Sequence, residues 1–147
     1  MILISPFAKK MRNGKKHPKD YPHWETLINM IDEDIIQVGI EGEQQLVADF
    51  RKNLPLSELK ELVLQCRTWV SVDSFFQHFC WDLGKPGIVL FGQSDPGIFG
   101  HPENINLYAD KKFFREKQFW MWEQADLIED AFLKPRVILD YINNRQE

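Results

Sequence analysis

The sequence predicts an α/β fold, a three-layer, Rossmann-like domain built on a mostly parallel sheet. Three observations carry this expectation. Segments rich in β-branched residues alternate along the chain with segments of helical periodicity. The run from Ile88 to Phe91 is continuously apolar, as a strand buried on both faces requires. Between it and the β-branched, aromatic stretch from Trp69 to Val72 lies a helical pattern, Phe75, Phe76, Phe79 and Leu83, ended by Gly84 and Pro86. That stretch reads as a βαβ unit. Its two strand ends, Asp73 and Gly92 to Asp95, should lie together at one edge of the sheet.

Taken in order, the chain opens with a strand, Ile2 to Ser5, ended by Pro6. From Phe7 to Tyr21 there is no apolar periodicity, and Lys9, Lys10, Arg12, Lys15, Lys16 and Lys19 gather there as a basic loop. Pro22 to Ile31 reads as a helix with proline in its first turn and Trp24, Leu27, Ile28 and Ile31 as its inner stripe. Ile35 to Val38 is a second strand, followed by Gly39, Glu41, Gly42 and Glu43. A short helix is expected from Glu43 to Asp49, and an edge strand at most from Phe50 to Asn53. Ser57 should cap a helix from Glu58 to Cys66 with Leu59, Leu62 and Val63 inward. Asp73 or Ser74 caps the helix of the βαβ unit, and Gly92, Ser94, Asp95, Pro96 and Gly97 make a polar, turn-rich loop after it. Ile105 to Tyr108 is a last strand. Lys111 to Phe132 mixes aromatics and charges without a clean period, so helical pieces are expected without definite ends. Pro135 to Asn144 closes the chain as a helix.

Composition bounds the rest. A chain of 147 residues suits a single domain spanning 1–147, large enough for a real core. A net charge of −4 argues against a protein that coats nucleic acid. Cys66 and Cys80 both fall in expected helices and read as free thiols of a reducing, cytoplasmic compartment. No run is long enough for a signal peptide or a membrane span. Four histidines and two cysteines without tight spacing suggest no metal site. Eleven phenylalanines and five tryptophans leave aromatic surface to be buried or partnered; Phe113, Phe114, Phe119, Trp120 and Trp122 read as core or interface.

In open parallel sheets, ligands bind beyond the carboxyl ends of the strands. That rule gathers the basic loop after the first strand, the Gly/Glu loop after the second, Asp73-Ser74, and Gly92 to Asp95. Cations, an acid and a helix N-terminus suit a nucleotide diphosphate. Each piece also has an ordinary explanation: a solvated lysine loop, an N-cap, a first-turn acid at Glu43, a turn at Asp95-Pro96. Their joint occurrence is the signal.

The same stretch resembles glycosyltransferase family nine, the lipopolysaccharide heptosyltransferases. Its signature, roughly D-[ST]-G-x-x-H, a helix ending L-G-x-P, and a strand ending F-G-x-[ST]-D-P, is matched by Asp73, Ser74, His78, Leu83, Gly84, Pro86, Phe91, Gly92, Ser94, Asp95 and Pro96. The sequence departs from it at Phe75, where the family has glycine. Lys19, Pro22 and Trp24 match a second family pattern, and the resemblance covers roughly Ile2 to Pro102. It implies the C-terminal, donor-binding domain of a GT-B transferase. A nucleotide-diphosphate sugar of the ADP-heptose type is implied as ligand, with no metal implied. Lys19, with Lys16 as a second candidate, is implied to contact the diphosphate, and Glu43 or Glu41 the nucleoside. Asp73, Ser74 and His78 are implied to sit against sugar and phosphates. The acceptor and the catalytic base belong to the family's other domain, and no residue here is assigned that role. Three functions follow as expectations. The first is a donor-binding domain acting with a separate acceptor-binding protein or a second copy. The others are a silent assembly module that keeps the fold and a self-contained enzyme on a nucleotide diphosphate. A homo-oligomer with residues from Phe113 to Phe132 at its interface is expected.

Overall fold

The computed structural model describes residues 1–145. Six strands form one sheet, β1 (Ile2–Ser5), β2 (Ile35–Gly39), β3 (Phe50–Lys52), β4 (Thr68–Val72), β5 (Ile88–Leu90) and β6 (Ile105–Leu107). Every pairing is parallel and the spatial order is β3-β2-β1-β4-β5-β6. The order reverses direction between β1 and β4, which makes that junction the topological switch point.

Strand periodicity explains the layers. Ile2 and Ile4 of β1, Val70 and Val72 of β4, and Ile88 and Leu90 of β5 face one side. There they meet Trp24 and Leu27 of α1 (Trp24–Met30) and Ile138 and Ile142 of the last helix, Pro135–Asn144. Their alternates, Leu3, Trp69 and Val89, face the other side. They pack on Leu59, Leu62 and Val63 of α2 (Leu56–Gln65) and on Phe76 and Cys80 of α3 (Phe75–Asp82). Both faces are therefore buried, and the continuous apolar runs in the sequence report that. The expected α/β, Rossmann-like class is the observed one.

Local differences have local causes. The segment expected as a helix from Glu43 to Asp49 is irregular. The fully buried Gln37 side chain takes its backbone groups: Leu46 N–H donates to Gln37 Oε1 (2.7 Å), and Gln37 Nε2 donates to Gln44 O (2.9 Å). Helix α2 starts at Leu56 with Pro55 as its N-cap residue, so Ser57 lies inside the first turn and caps nothing. Ser74 occupies the N-cap position of α3, but its hydroxyl turns back to Val72 O (3.3 Å) and caps no N–H. Phe75, the first residue of the apolar pattern read for that helix, is 64% exposed. The loop after β5 holds a single helical turn, α4 (Pro96–Phe99), capped by Asp95, whose Oδ1 accepts from Gly97 N–H at 2.8 Å. Cys66 ends α2 as its C-cap, and both cysteines are buried, with no disulfide between them.

The stretch without a clean period contains three short 3₁₀ turns, Lys111–Phe113, Trp122–Gln124 and Glu129–Ala131. Long-range polar contacts hold residues 115–126 in place. Gln118 Nε2 donates to Gln93 O (3.0 Å) and its Oε1 accepts from Asp95 N–H (3.0 Å). Gln93 Nε2 reaches Asp126 O (2.7 Å), and the Arg115 guanidinium reaches the carbonyls of Lys117 and Met121. This strap is fastened to the loop that follows β5. The closing helix α5 (Pro135–Asn144) is the one the sequence predicts, and it packs against α1.

Candidate functional site

The carboxyl ends of β1, β2 and β4 open into one cleft of about 1050 Å³. Its lining brings together residues from separate strand ends: Lys19 from the loop after β1, Glu43 from the loop after β2, and Asp73 and Ser74 after β4. Three more cations of the basic loop, Lys9, Lys10 and Arg12, line it as well. The strap contributes Phe119, Trp120 and Trp122.

The loop from residue 6 to residue 23 is irregular because its polar groups are tied individually rather than by a ladder. Asp20 Oδ1 accepts from Ala8 N–H (2.8 Å), and Trp24 Nε1 donates to Pro6 O (3.0 Å). Burial lifts the Asp20 carboxyl to about 6, although the Ala8 hydrogen bond pulls it back. These ties place Lys19 over the switch point. Its ammonium lies 2.9 Å from Asp73 Oδ2, with side chains only 16% and 5% exposed. The same Nζ stands 5.0 Å from the centre of the Phe99 ring and 4.9 Å from that of Trp122, both within cation–π range. Gln77 Nε2 donates to the other Asp73 oxygen (2.8 Å). Asp73 is thus held by one charge and one amide, and Lys19 by one carboxylate and two aromatic faces.

Glu43 folds back over the β2 end, where Oε1 accepts from Ile40 N–H (2.7 Å). A Cβ on Gly39 would meet that oxygen, so the glycine makes room for the carboxylate. Partial burial raises its affinity for a proton, which the Ile40 hydrogen bond counteracts.

His17 was not among the residues the sequence singled out. Lys19 N–H donates to its Nδ1 (3.2 Å), and its ring packs 5.2 Å from that of Trp122. Burial, and then the Lys19 charge, lower its pKa to about 4, so the ring is neutral at neutral pH. The available signal was its position two residues before Lys19. The sequence presents Trp122 only as core or interface, and its place beside His17 and Lys19 carries no signal, because those residues lie more than a hundred positions earlier in the sequence. Its Nε1 donates to Gln118 O (3.0 Å), and the Arg115 guanidinium stacks 4.4 Å from the ring centre.

The remaining sequence-predicted residues do not line the cleft. Lys16 is exposed on the basic loop. Glu41 is exposed and pairs with Lys52 at 3.6 Å. His78 turns to His101, with Nδ1 and Nε2 2.8 Å apart, and Trp81 stacks on the His101 ring. Gly92 lies beneath the Phe132 ring, Ser94 is buried, and Asp95 is spent on capping α4. The F-G-x-S-D-P stretch therefore serves the architecture around the cleft: it carries the strap that walls it.

The rim of the cleft is apolar. Phe119 and Trp120 are 68% and 66% exposed, and Ile40, Leu56 and Phe75 are exposed beside the cleft as well. Clustered cations and exposed flat rings suit a ligand that has both anionic and apolar parts. Among the described residues no group of three or more His, Cys, Asp or Glu could hold a metal ion, and no helix is long and apolar enough to cross a membrane.

Comparison with known proteins adds two findings. Residues 1–120 match the profile of glycosyltransferase family 9 (heptosyltransferase). The match runs past Pro102, where the sequence resemblance ended, and stops before Trp122. The fold is similar to that of the E. coli heptosyltransferase WaaC solved with ADP, with a TM-score of 0.64 at 19% identity over 98% of this chain. This chain spans 43% of the length of that protein. No curated protein sequence matches it.

Proposed function

Because the chain belongs to glycosyltransferase family 9, the heptosyltransferase family, we propose that its cleft binds the nucleotide-diphosphate sugar donor of a glycosyl transfer, of the ADP-sugar type. One observation carries the reading. Lys19, Glu43, Asp73 and Ser74 come from three strand ends that are far apart in sequence, and the topology delivers all four to one cleft at the switch point. The similar E. coli heptosyltransferase was solved with ADP, which agrees with that ligand class.

In this reading the Lys19 ammonium, with three N–H donors and only one carboxylate on it, turns a free donor to a diphosphate oxygen. Lys9, Lys10 and Arg12 supply the field that attracts the anion. Glu43 keeps one carboxylate oxygen for a ribose hydroxyl while the other holds Ile40 N–H. Glu41, Lys16, His78, Gly92, Ser94 and Asp95 lie outside the lining of the cleft and make no ligand contact in this reading. No group here is assigned as the base that a transfer to an acceptor hydroxyl requires. Transfer is therefore proposed only together with an acceptor-binding partner or a second copy. Two buried cysteine thiols not joined in a disulfide suit a reducing compartment such as the cytoplasm.

Calorimetric titration with ADP, UDP and GDP tests the reading. A nucleoside diphosphate should bind, and the affinity should fall as salt rises from about 50 to 300 mM, because cations meet the ligand. Absence of heat with all three would defeat it.

The exposed rim favours assembly. Apolar rings this exposed on one side of a soluble protein usually mark a partner surface. Within residues 113–132 the expected interface can draw on the exposed Phe119, Trp120, Leu127 and Ile128, whereas Trp122, Ala131 and Phe132 are buried. Light scattering should give a mass above the monomer, and F119D should return a folded monomer. A concentration-independent monomer of the unaltered chain would exclude self-assembly.

A further inference from the structure

The neutral imidazole of His17 has a donor that no described residue uses. Its Nδ1 accepts the Lys19 N–H, so the single proton of the neutral ring sits on Nε2. The ring cannot swing freely, because it is tied to the backbone on one side and packed on Trp122 on the other. Trp122 is itself buried and hydrogen-bonded to Gln118 O. The hydrogen bond that the ring makes among the described residues is the one to Nδ1, which leaves Nε2 without a partner there, and the side chain lines the cleft. The Lys19 ammonium stands 4.9 Å from the centre of the Trp122 ring against which His17 lies at 5.2 Å. The two donors therefore share one aromatic wall.

We infer that His17 is a ligand-binding residue whose Nε2–H donates to a phosphate oxygen of the bound nucleoside diphosphate, beside the Lys19 ammonium. The inference rests on the donor-site reading and deepens it. A neutral donor suits that place. Lys19 and the Arg115 guanidinium already face the same indole, and a further cation among them would be repelled, whereas an imidazole N–H adds a hydrogen bond without a charge. The turn that presents His17 also presents Lys19, because the Nδ1 contact closes over the single residue between them, Pro18. One short segment, His17 to Lys19, thus delivers both a charged and an uncharged donor to the anion.

His17→Asn separates the two jobs of the ring. Asparagine Oδ1 accepts the N–H two residues on, as in an Asx turn, so the turn and Lys19 stay in place. The shorter side chain no longer reaches the cleft. Calorimetry should then give an ADP affinity weakened by roughly five- to tenfold, the value of one such hydrogen bond, with an unchanged Tm. Adenosine, which lacks phosphate, should bind both proteins alike. Equal ADP affinities would overturn the inference while leaving the donor site standing, and so would an equal loss for adenosine. If the unaltered chain binds none of ADP, UDP and GDP, both readings fall. Should the variant fold poorly, the His17 Nε2–H resonance of the unaltered protein decides: it should move on adding ADP, and a resonance that stays put would sink the idea.

Discussion

Lys19→Met is expected to destabilise the fold by about 3–5 kcal/mol, beyond any effect on a ligand. Asp73 is 5% exposed and carries its charge against the Lys19 ammonium at 2.9 Å. Methionine keeps most of the length and the contacts with Phe99 and Trp122, but it leaves that carboxylate with Gln77 as its one remaining hydrogen-bond donor. A single neutral amide does not replace a cation for a charge this far from water. The same pair explains why the loss should be conditional. In K19M/D73N the uncompensated charge is gone, and most of the lost stability should return. Urea unfolding of the two single variants and the double variant forms the cycle. If the double variant is as unstable as K19M, the ion pair is not what the loop contributes, and packing of the lysine stem is.

Gly92→Ala is the second large effect, about 1–3 kcal/mol of lost stability. A Cβ at this position would sit 2.6 Å from Phe132 Cζ and within 2.9 Å of two more ring atoms. Phe132 is fully buried and edge-on to Tyr21, whose hydroxyl donates to Leu133 O (2.9 Å), so the ring has nowhere to retreat. In the family resemblance this glycine belongs to a ligand-side motif. In the structure it lets an aromatic side chain from the closing segment approach the end of β5. The two roles separate by rescue: F132L shortens the ring and should restore much of the G92A stability. Failure of the rescue, with ADP affinity lost at unchanged Tm, would return Gly92 to the ligand.

Particular residues show how much was legible in advance. The alternation of Ile2, Leu3 and Ile4 between two cores, the stop at Gly84 and Pro86, and the closing helix Pro135–Asn144 follow from local rules. Burial on both faces writes a continuous apolar run, and a helix end writes its capping residues. With the strands in sequence, the rule that ligands sit at their carboxyl ends gathers the basic loop, the Gly/Glu loop, Asp73-Ser74 and Gly92 to Asp95. The family resemblance singles out Lys19 and Glu43 among them. Lys19, Glu43, Asp73 and Ser74 line one cleft, and Gly92, Ser94 and Asp95 do not.

What the sequence by itself determined was therefore the layer architecture and the edge at which the cleft opens. Tertiary structure alone decided the course of residues 43–49 and of the strap. There, glutamines 37, 93 and 118 satisfy backbone groups at the price of ordinary secondary structure, in bonds that span up to 33 residues. A side-chain amide bonded to a distant carbonyl leaves no periodic trace, so nothing local announced Trp122 or the neutral His17 beside it. The assignment of Gly92 turned on Phe132, forty positions further along the chain. Periodicity records which face of a segment is buried, and it is silent on which partner does the burying.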